Sequence, residues 1–349
     1  MPTLNKTKEE AKIILKWGGI SLVIIFIFLI GIRLVTIIKD GLTPPPAPAA
    51  SFGKLQSISF PNQQKENVTY SLDTLTGFLP NFPDRSKVHK IAANPPNLLA
   101  LDRTEEKVAQ IGFTSKGTRI AEDIYQWVDQ GSGLQRRIII NIFSSDFTLS
   151  SPYLVTPSLQ TLINSDEQNE QETVIDLAKS FLSDMSLMSD DLDQEKTKIT
   201  FYSIKKSELI PTSKISNAKI ARVDFFQKDL NGLSMYYEKG TQSTISFMVG
   251  KENNQLKVVD ARYFHKTISD ISSEYAIKSA DIAFSELKKG QAYIISKPEN
   301  ATEIVIKNVL MGYYIGETQQ NFLMPIFIFS GENNFIAYIS AVKDGWISN

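Results

Sequence analysis

The sequence predicts an α+β protein: a single N-terminal transmembrane helix followed by antiparallel sheets with packed helices, in two subdomains. Three observations predict it. Residues 17–32 form an apolar run without a charge. Amphipathic helical patterns at three places each lead into strand-like runs, unlike the strict strand–helix alternation of a doubly wound parallel sheet. The chain has 349 residues, 42% hydrophobic and 21% charged, which suits globular folding and gives length for about two domains.

The apolar run reads WGGISLVIIFIFLIGI, and Ile13, Ile14 and Leu15 extend it backwards past Lys16. Residues 13–32 make 20 positions, about 30 Å of helix, which matches the hydrocarbon thickness of a bilayer. A buried core helix of this length would carry a polar face. Lys16 and Arg33 stand near the two ends, where long basic side chains reach the headgroups. The membrane-anchor residues are read as Trp17, Ile24, Phe26, Ile30 and Arg33. Ala47-Pro48-Ala49 has the form of a signal-peptide cleavage site, but it lies behind Lys39, Asp40 and three consecutive prolines, so an uncleaved anchor is expected. Lys6, Lys8, Lys12 and Lys16 precede the span, whereas Arg33 and Lys39 follow it. This bias puts the N-terminus in the cytoplasm and the C-terminal region outside the cell membrane. GLTPPPAPAA, residues 41–50, favours polyproline II and forms a semi-rigid spacer. The expected plan is a cytoplasmic tail over 1–12, the span and its flank over 13–38, a proline-rich linker over 39–50, and two extracytoplasmic α+β domains over 51–165 and 166–349.

In the outer region, residues 60–96 are extended and loop-rich, punctuated by Pro80, Pro83, Pro95 and Pro96. The first helix is predicted over 102–111, with Asp102 and Glu105 as a capping-box pattern and Gly112 as its stop. Strands are predicted over 119–129 and 135–143, joined as a hairpin at Gly131-Ser132-Gly133. The polar stretch 164–172 reads as the linker between domains. Val174, Leu177, Ala178, Phe181 and Met185 then make the apolar face of a second helix. Strands follow over 198–204, 219–226, 244–249 and 256–264. The third helix is predicted over 280–289: Ser279 caps it, Asp281 suits its first turn, Lys288 and Lys289 its last, and Gly290 ends it. Strands over 303–314, 322–329 and 335–342 close the chain.

Composition narrows the chemistry. A formal net charge of −1 gives no basic field for nucleic acid. The absence of cysteine removes disulfides, thiolate nucleophiles and cysteine zinc sites. His89 and His265 are the only histidines, both read as partly exposed strand residues. No G-x-S-x-G, H-E-x-x-H, P-loop or G-x-G-x-x-G is present. Asp190, Asp191, Asp193 and Glu195 lack the spacing and central glycine of an EF-hand, and read as a solvated loop. Asn67-Val68-Thr69 and Asn300-Ala301-Thr302 match the glycosylation pattern but are assigned no role. Tyr125, Trp127, Tyr236 and Tyr237 sit at strand spacing and read as core or cross-strand pairs rather than a groove. No catalytic residue, cofactor or metal is assigned. Paired carboxylates far apart in sequence leave a hydrolase of wall polymers open.

GYYIGETQQNFLMPIFIF, residues 312–329, followed by NNFIAYISAV, residues 333–342, resembles the closing strands of YycI-like and PepSY-like extracytoplasmic domains. AFSELKKGQAYI, residues 283–294, is similar to the helix–Gly–strand step before them. The layout of short tail, single span and exported α+β region also resembles the YycH/YycI proteins. Their pattern carries a tryptophan shortly after the proline, where this chain has Ile326, Phe327 and Ile328. The resemblance implies regulation through binding a membrane sensor, without catalysis. Independently of it, Tyr313, Leu323, Phe327, Phe335 and Tyr338 are expected in a sheet core.

The expected function is therefore a membrane-anchored extracytoplasmic protein with a non-catalytic binding or regulatory role at the cell envelope. Its expected partners are the lipid bilayer and another membrane or envelope protein, with Gly18, Gly19, Ser21 and Gly31 permitting close helix approach. A carboxylate hydrolase and a structural component of an envelope assembly are the alternatives.

Overall fold

The computed structural model describes residues 16–18, 21–22, 25–33, 47–61, 68–93, 95, 97–129, 131, 133–157, 159–162, 167–299 and 301–348, with only the backbone for 167–170. Ile24, Asn67 and Asn300 lie outside the described residues, as do 1–15 of the expected tail and span and 34–46 of the flank and linker. The chain forms two units, Met1–Pro48 and Ala49–Asn349. In the first, residues 16–18, 21–22 and 25–33 are helical, and Trp17, Phe26, Ile30 and Arg33 are exposed. Among the described residues no helix is long and apolar enough to cross a membrane.

The second unit holds three described α-helices: α1 (Ala100–Gln110), α2 (Glu167–Asp184) and α3 (Ala280–Lys288). The pairing is mostly antiparallel, as an α+β chain requires. The largest sheet has ten strands. Its spatial order is Glu208–Pro211, Leu192–Lys205, Ile220–Gln227, Ile245–Glu252, Gln255–Tyr263, Phe147–Ser150, Arg137–Asn141, Ile124–Val128 and Thr118–Arg119, with Leu159–Gln160 pairing onto Ile245–Glu252. The period of two along a strand sorts its side chains. Ala221, Val223 and Phe225 enter the core that α2 covers, while Arg222 and Asp224 face the other way as a buried ion pair. Val174, Ala178, Phe181 and Met185 of the α2 segment join this core, and the Phe181 ring lies 5.4 Å from Phe247. Phe147–Ser150 pairs with Gln255–Tyr263, so the expected division between 51–165 and 166–349 runs through one sheet.

A second core lies on a six-stranded sheet, where Met235–Tyr237, Glu303–Ile315, Pro325–Gly331, Ile336–Ser340 and Tyr293–Ser296 follow in spatial order and Thr69–Leu72 adds to Glu303–Ile315. Ala283, Phe284 and Leu287 of α3 pack there with Phe327, Phe329 and Phe335. Tyr313, Leu323, Phe327, Phe335 and Tyr338 are all buried, as their pattern predicted. A three-stranded sheet of Ile268–Ala276, Arg85–Ile91 and Phe322–Leu323 completes the frame, and Leu55–Gln56 runs parallel to Ile347–Ser348.

Several elements differ from the sequence expectation. Arg85–Ile91 is a strand inside the segment read as loop-rich, because Ile268–Ala276 and Phe322–Leu323 pair with its two edges. The run over 322–329 divides between two sheets: Phe322–Leu323 pairs with Arg85–Ile91, and Pro325 opens the next strand, where its missing N–H is tolerated. Helix α1 starts at Ala100, and Leu99 caps it with no side-chain bond. Asp102 therefore falls within the helix, and Glu105 accepts from the Gly117 N–H at 3.2 Å instead of closing a capping box. Helix α2 starts at Glu167, inside the polar stretch read as a linker, since Glu and Gln are good helix formers. Ser279 and Gly290 act as predicted: Ser279 accepts from the Ile282 N–H, and Gly290 takes a left-handed φ of +69° just past α3.

Candidate functional site

A polar cleft of about 410 Å³ opens where the turn after Arg137–Asn141, the chain following Gln255–Tyr263, the end of Arg85–Ile91 and residues 319–321 converge. Each wall has a local cause. Asn141 ends its strand, and its Oδ1 accepts the N–H groups of Phe143 at 3.0 Å and Ser144 at 3.1 Å. This is the side-chain turn that Asn favours. The Asn141 N–H closes the loop on the Asp146 carbonyl at 2.9 Å, with Ser145 at φ +62°. The turn presents Asp146 to the cleft. Burial pushes its carboxyl above the usual range, against the pull of Lys266, Ser144 and His265. Its Oδ1 is buried with no hydrogen-bond partner among the described residues.

Lys266 also lines the cleft and is only 5% exposed. Gln227, itself buried, holds its backbone from both sides. The Gln227 Nε2 donates to the Lys266 carbonyl at 3.0 Å, and the Lys266 N–H donates to Gln227 Oε1 at 3.4 Å. Among the described residues the ammonium makes no hydrogen bond, and no carboxylate lies within 4 Å of it. Burial lowers its pKa, although Asp146, Glu317 and Glu238 act in the opposite sense from further off. A lysine this little exposed whose ammonium has no protein partner is unusual in a folded protein, because burying a charge without a partner costs several kcal/mol, of the order of 3–5.

His265 also lines the cleft. Its side chain is buried, stacks on Tyr263 with centroids 5.9 Å apart, and places Nε2 at 2.8 and 3.0 Å from the two Asp191 oxygens. Gln227 Nε2 also donates to Asp191 Oδ2, at 2.7 Å. Burial alone raises the Asp191 pKa, but the His265 bond and charge, with bonds from Ser189 and Gln227, outweigh it and lower the carboxyl. Asp191, Gln227 and the Lys266 backbone thus form one chain of contacts behind the cleft.

The sequence reading of these residues is corrected in three places. His265 is partly exposed as a residue but not in a strand: it lies past the strand end at Tyr263, and its side chain is covered where Asp191 arrives from 74 positions earlier. Of the acidic run read as a solvated loop, Asp190 and Asp191 are in a turn and Asp193 and Glu195 lie on the strand Leu192–Lys205, while Asp191 turns inward to His265. His89 is in a strand but buried, its Nε2 2.8 Å from Asn231 Nδ2 and its ring edge-on to Tyr313. Burial and Lys87 lower its pKa, and it does not line the cleft. Trp127 and Tyr237 are buried and Tyr125 and Tyr236 half-buried, all packed in the sheets as expected. Among the described residues no group of three carboxylate or histidine side chains is arranged to hold a metal. Asp146, Gln227 and Lys266 were not foreseen. They belong to no motif, and the only hint is a lysine directly after an apolar strand run.

No family model matches this sequence, and no curated protein matches it. Several solved structures show a distant likeness, two of them as follows. An uncharacterised protein from Eubacterium rectale is 11% identical with a TM-score of 0.32, over 75% of this chain and 84% of that one. The C-terminal domain of YpeB from Bacillus megaterium is 10% identical with a TM-score of 0.31, over 73% of this chain and 96% of that one. Likeness of this degree carries no argument about the function of the present chain.

Proposed function

We propose that this chain is a single-pass, membrane-anchored extracytoplasmic protein that binds a small polar ligand in its cleft and regulates a membrane or envelope partner without catalysis. The observation that carries the binding reading is Lys266, a buried cation lining an open cleft with no partner of its own. A protein without a ligand gains nothing from keeping that charge unpaired, whereas a ligand-binding protein does. The apolar run over 13–32 and the basic residues before it support the anchor and its orientation. The resemblance of 283–294 and 312–342 to YycI-like and PepSY-like domains supports the regulatory role.

A carboxylate hydrolase is the second reading, because Asp146 and Asp191 have pKa values displaced in opposite directions. It is weaker because both Asp191 oxygens are occupied by His265 and one also by Gln227, and Asp191 does not line the cleft, so Asp191 supplies no free base or nucleophile beside Asp146. Alkaline phosphatase fused after Asn349 tests the topology: activity outside the cytoplasm is expected, and a well-expressed but inactive fusion overturns it. Turnover of wall glycans by the wild type that is lost in Asp146→Asn would replace the binding reading with the hydrolase.

A further inference from the structure

Two unsatisfied groups of opposite charge border the same cleft. Lys266, only 5% exposed, brings an ammonium with no acceptor among the described residues, and Asp146 brings a carboxylate whose buried Oδ1 has no donor. They influence each other electrostatically, yet their charged atoms are more than 4 Å apart and form no ion pair. His265 does not close the gap, since its Nε2 is committed to Asp191. Glu317 is likewise committed, to Arg262 and to Lys239. The cleft thus offers Lys266 as its cationic contact and Asp146 as an anionic one, with Asp123 a second carboxylate on the lining, and Lys266 pairs with neither.

From this arrangement we infer that the cleft binds a small zwitterion, a free amino acid or a short peptide with both termini unblocked, whose carboxylate meets Lys266 and whose ammonium meets Asp146. A simple anion would leave Asp146 without a donor, and a simple cation would be repelled by Lys266. A zwitterion satisfies both groups and adds no net charge to a desolvated site. The remaining lining suits such a molecule. The Asn141 amide has its oxygen occupied by the turn and its nitrogen available, Asn321 offers a second amide, and Ile91 and Phe143 offer apolar surface. A volume of about 410 Å³ lies within the range of small-ligand sites. The inference rests on the binding reading of the cleft.

The test uses the full-length protein in detergent micelles and measures calorimetric binding of alanine, dialanine, N-acetyl-dialanine and dialanine amide. Binding of alanine or dialanine is expected, with each singly blocked peptide weaker than dialanine by about tenfold or more, the scale of one buried charge left unpaired. Lys266→Met should abolish the preference for a free carboxylate, and Asp146→Asn the preference for a free amine. Because Lys266 is held unpaired for a ligand, ligand-free Lys266→Met should melt above the wild type. If a blocked peptide binds as tightly as dialanine, the zwitterion class is overturned while the cleft remains a binding site. If none of the four binds and Lys266→Met still melts higher, the zwitterion class alone falls. If none binds and Lys266→Met melts lower, Lys266 is structural and the binding reading falls with it.

Discussion

Asp260 offers a stability test that depends on one buried group. It lies on Gln255–Tyr263 opposite Met248, in the part of the sheet where Arg222 and Arg262 also stand. Burial pushes its carboxyl from 3.8 up to about 6, and attraction from Arg262 and Arg222 offsets only part of that. Below both values folded and unfolded chains each hold the proton. Between them the folded protein keeps a proton that the unfolded chain has released, so stability falls as pH rises and levels off above about 6. A gap of about two units, at about 1.4 kcal/mol per unit, corresponds to about 3 kcal/mol lost at neutral pH. Asp260→Asn keeps the shape and removes the ionisation. The variant should exceed the wild type by about 2–3 kcal/mol at pH 7.5 and match it closely at pH 4. Urea unfolding followed by tryptophan fluorescence, with Trp127 fully buried in the same sheet, reads both proteins across that range. Equal midpoints at pH 7.5, or a difference that does not grow between pH 4 and 7.5, would refute the account of Asp260 as a buried, poorly compensated carboxylate.

Three further outcomes follow from packing and pairing. Phe327→Ala removes a fully buried ring that meets Phe82 at 5.3 Å, and should cost about 3–5 kcal/mol in the same urea assay. Arg222→Ala leaves Asp224, only 2% exposed, without its guanidinium and should cost about 3–5 kcal/mol; the paired change Arg222→Met with Asp224→Leu should recover most of that loss. Gly331→Ala drives a Cβ into the Val305 carbonyl oxygen, a backbone atom that cannot swing aside, and should lower stability by about 1–3 kcal/mol.

The helices were the most legible part of the fold. Ser279, Gly290 and the apolar spacing of Val174 to Met185 are local features, and a helix satisfies its hydrogen bonds within one segment. The closing strands were legible for a related reason: long β-branched and aromatic runs such as residues 325–329 have few alternatives to a buried strand. Arg85–Ile91 was not. Its sequence, RSKVHKI, carries three basic residues besides its histidine, and it becomes a strand because distant segments supply partners on both edges. The pairing of Phe147–Ser150 with Gln255–Tyr263 was equally hidden, because no local property of either strand specifies a neighbour more than a hundred positions away.

The candidate site shows the same division more sharply. The sequence by itself determined the α+β class, the ends of α3, the closing sheet core, and the absence of cysteine chemistry and of the common catalytic motifs. It also supplied the apolar run over 13–32, which is the whole basis of the proposed anchor. Only the tertiary structure decided that Asp146, from a hairpin turn, and Lys266, from beyond a strand 120 positions later, face one cleft with neither satisfied. The physical reason is that burial and partner choice belong to the packed chain. A lysine reads as solvated in any sequence, and only the fold shows that Lys266 is largely buried with no counter-ion beside it.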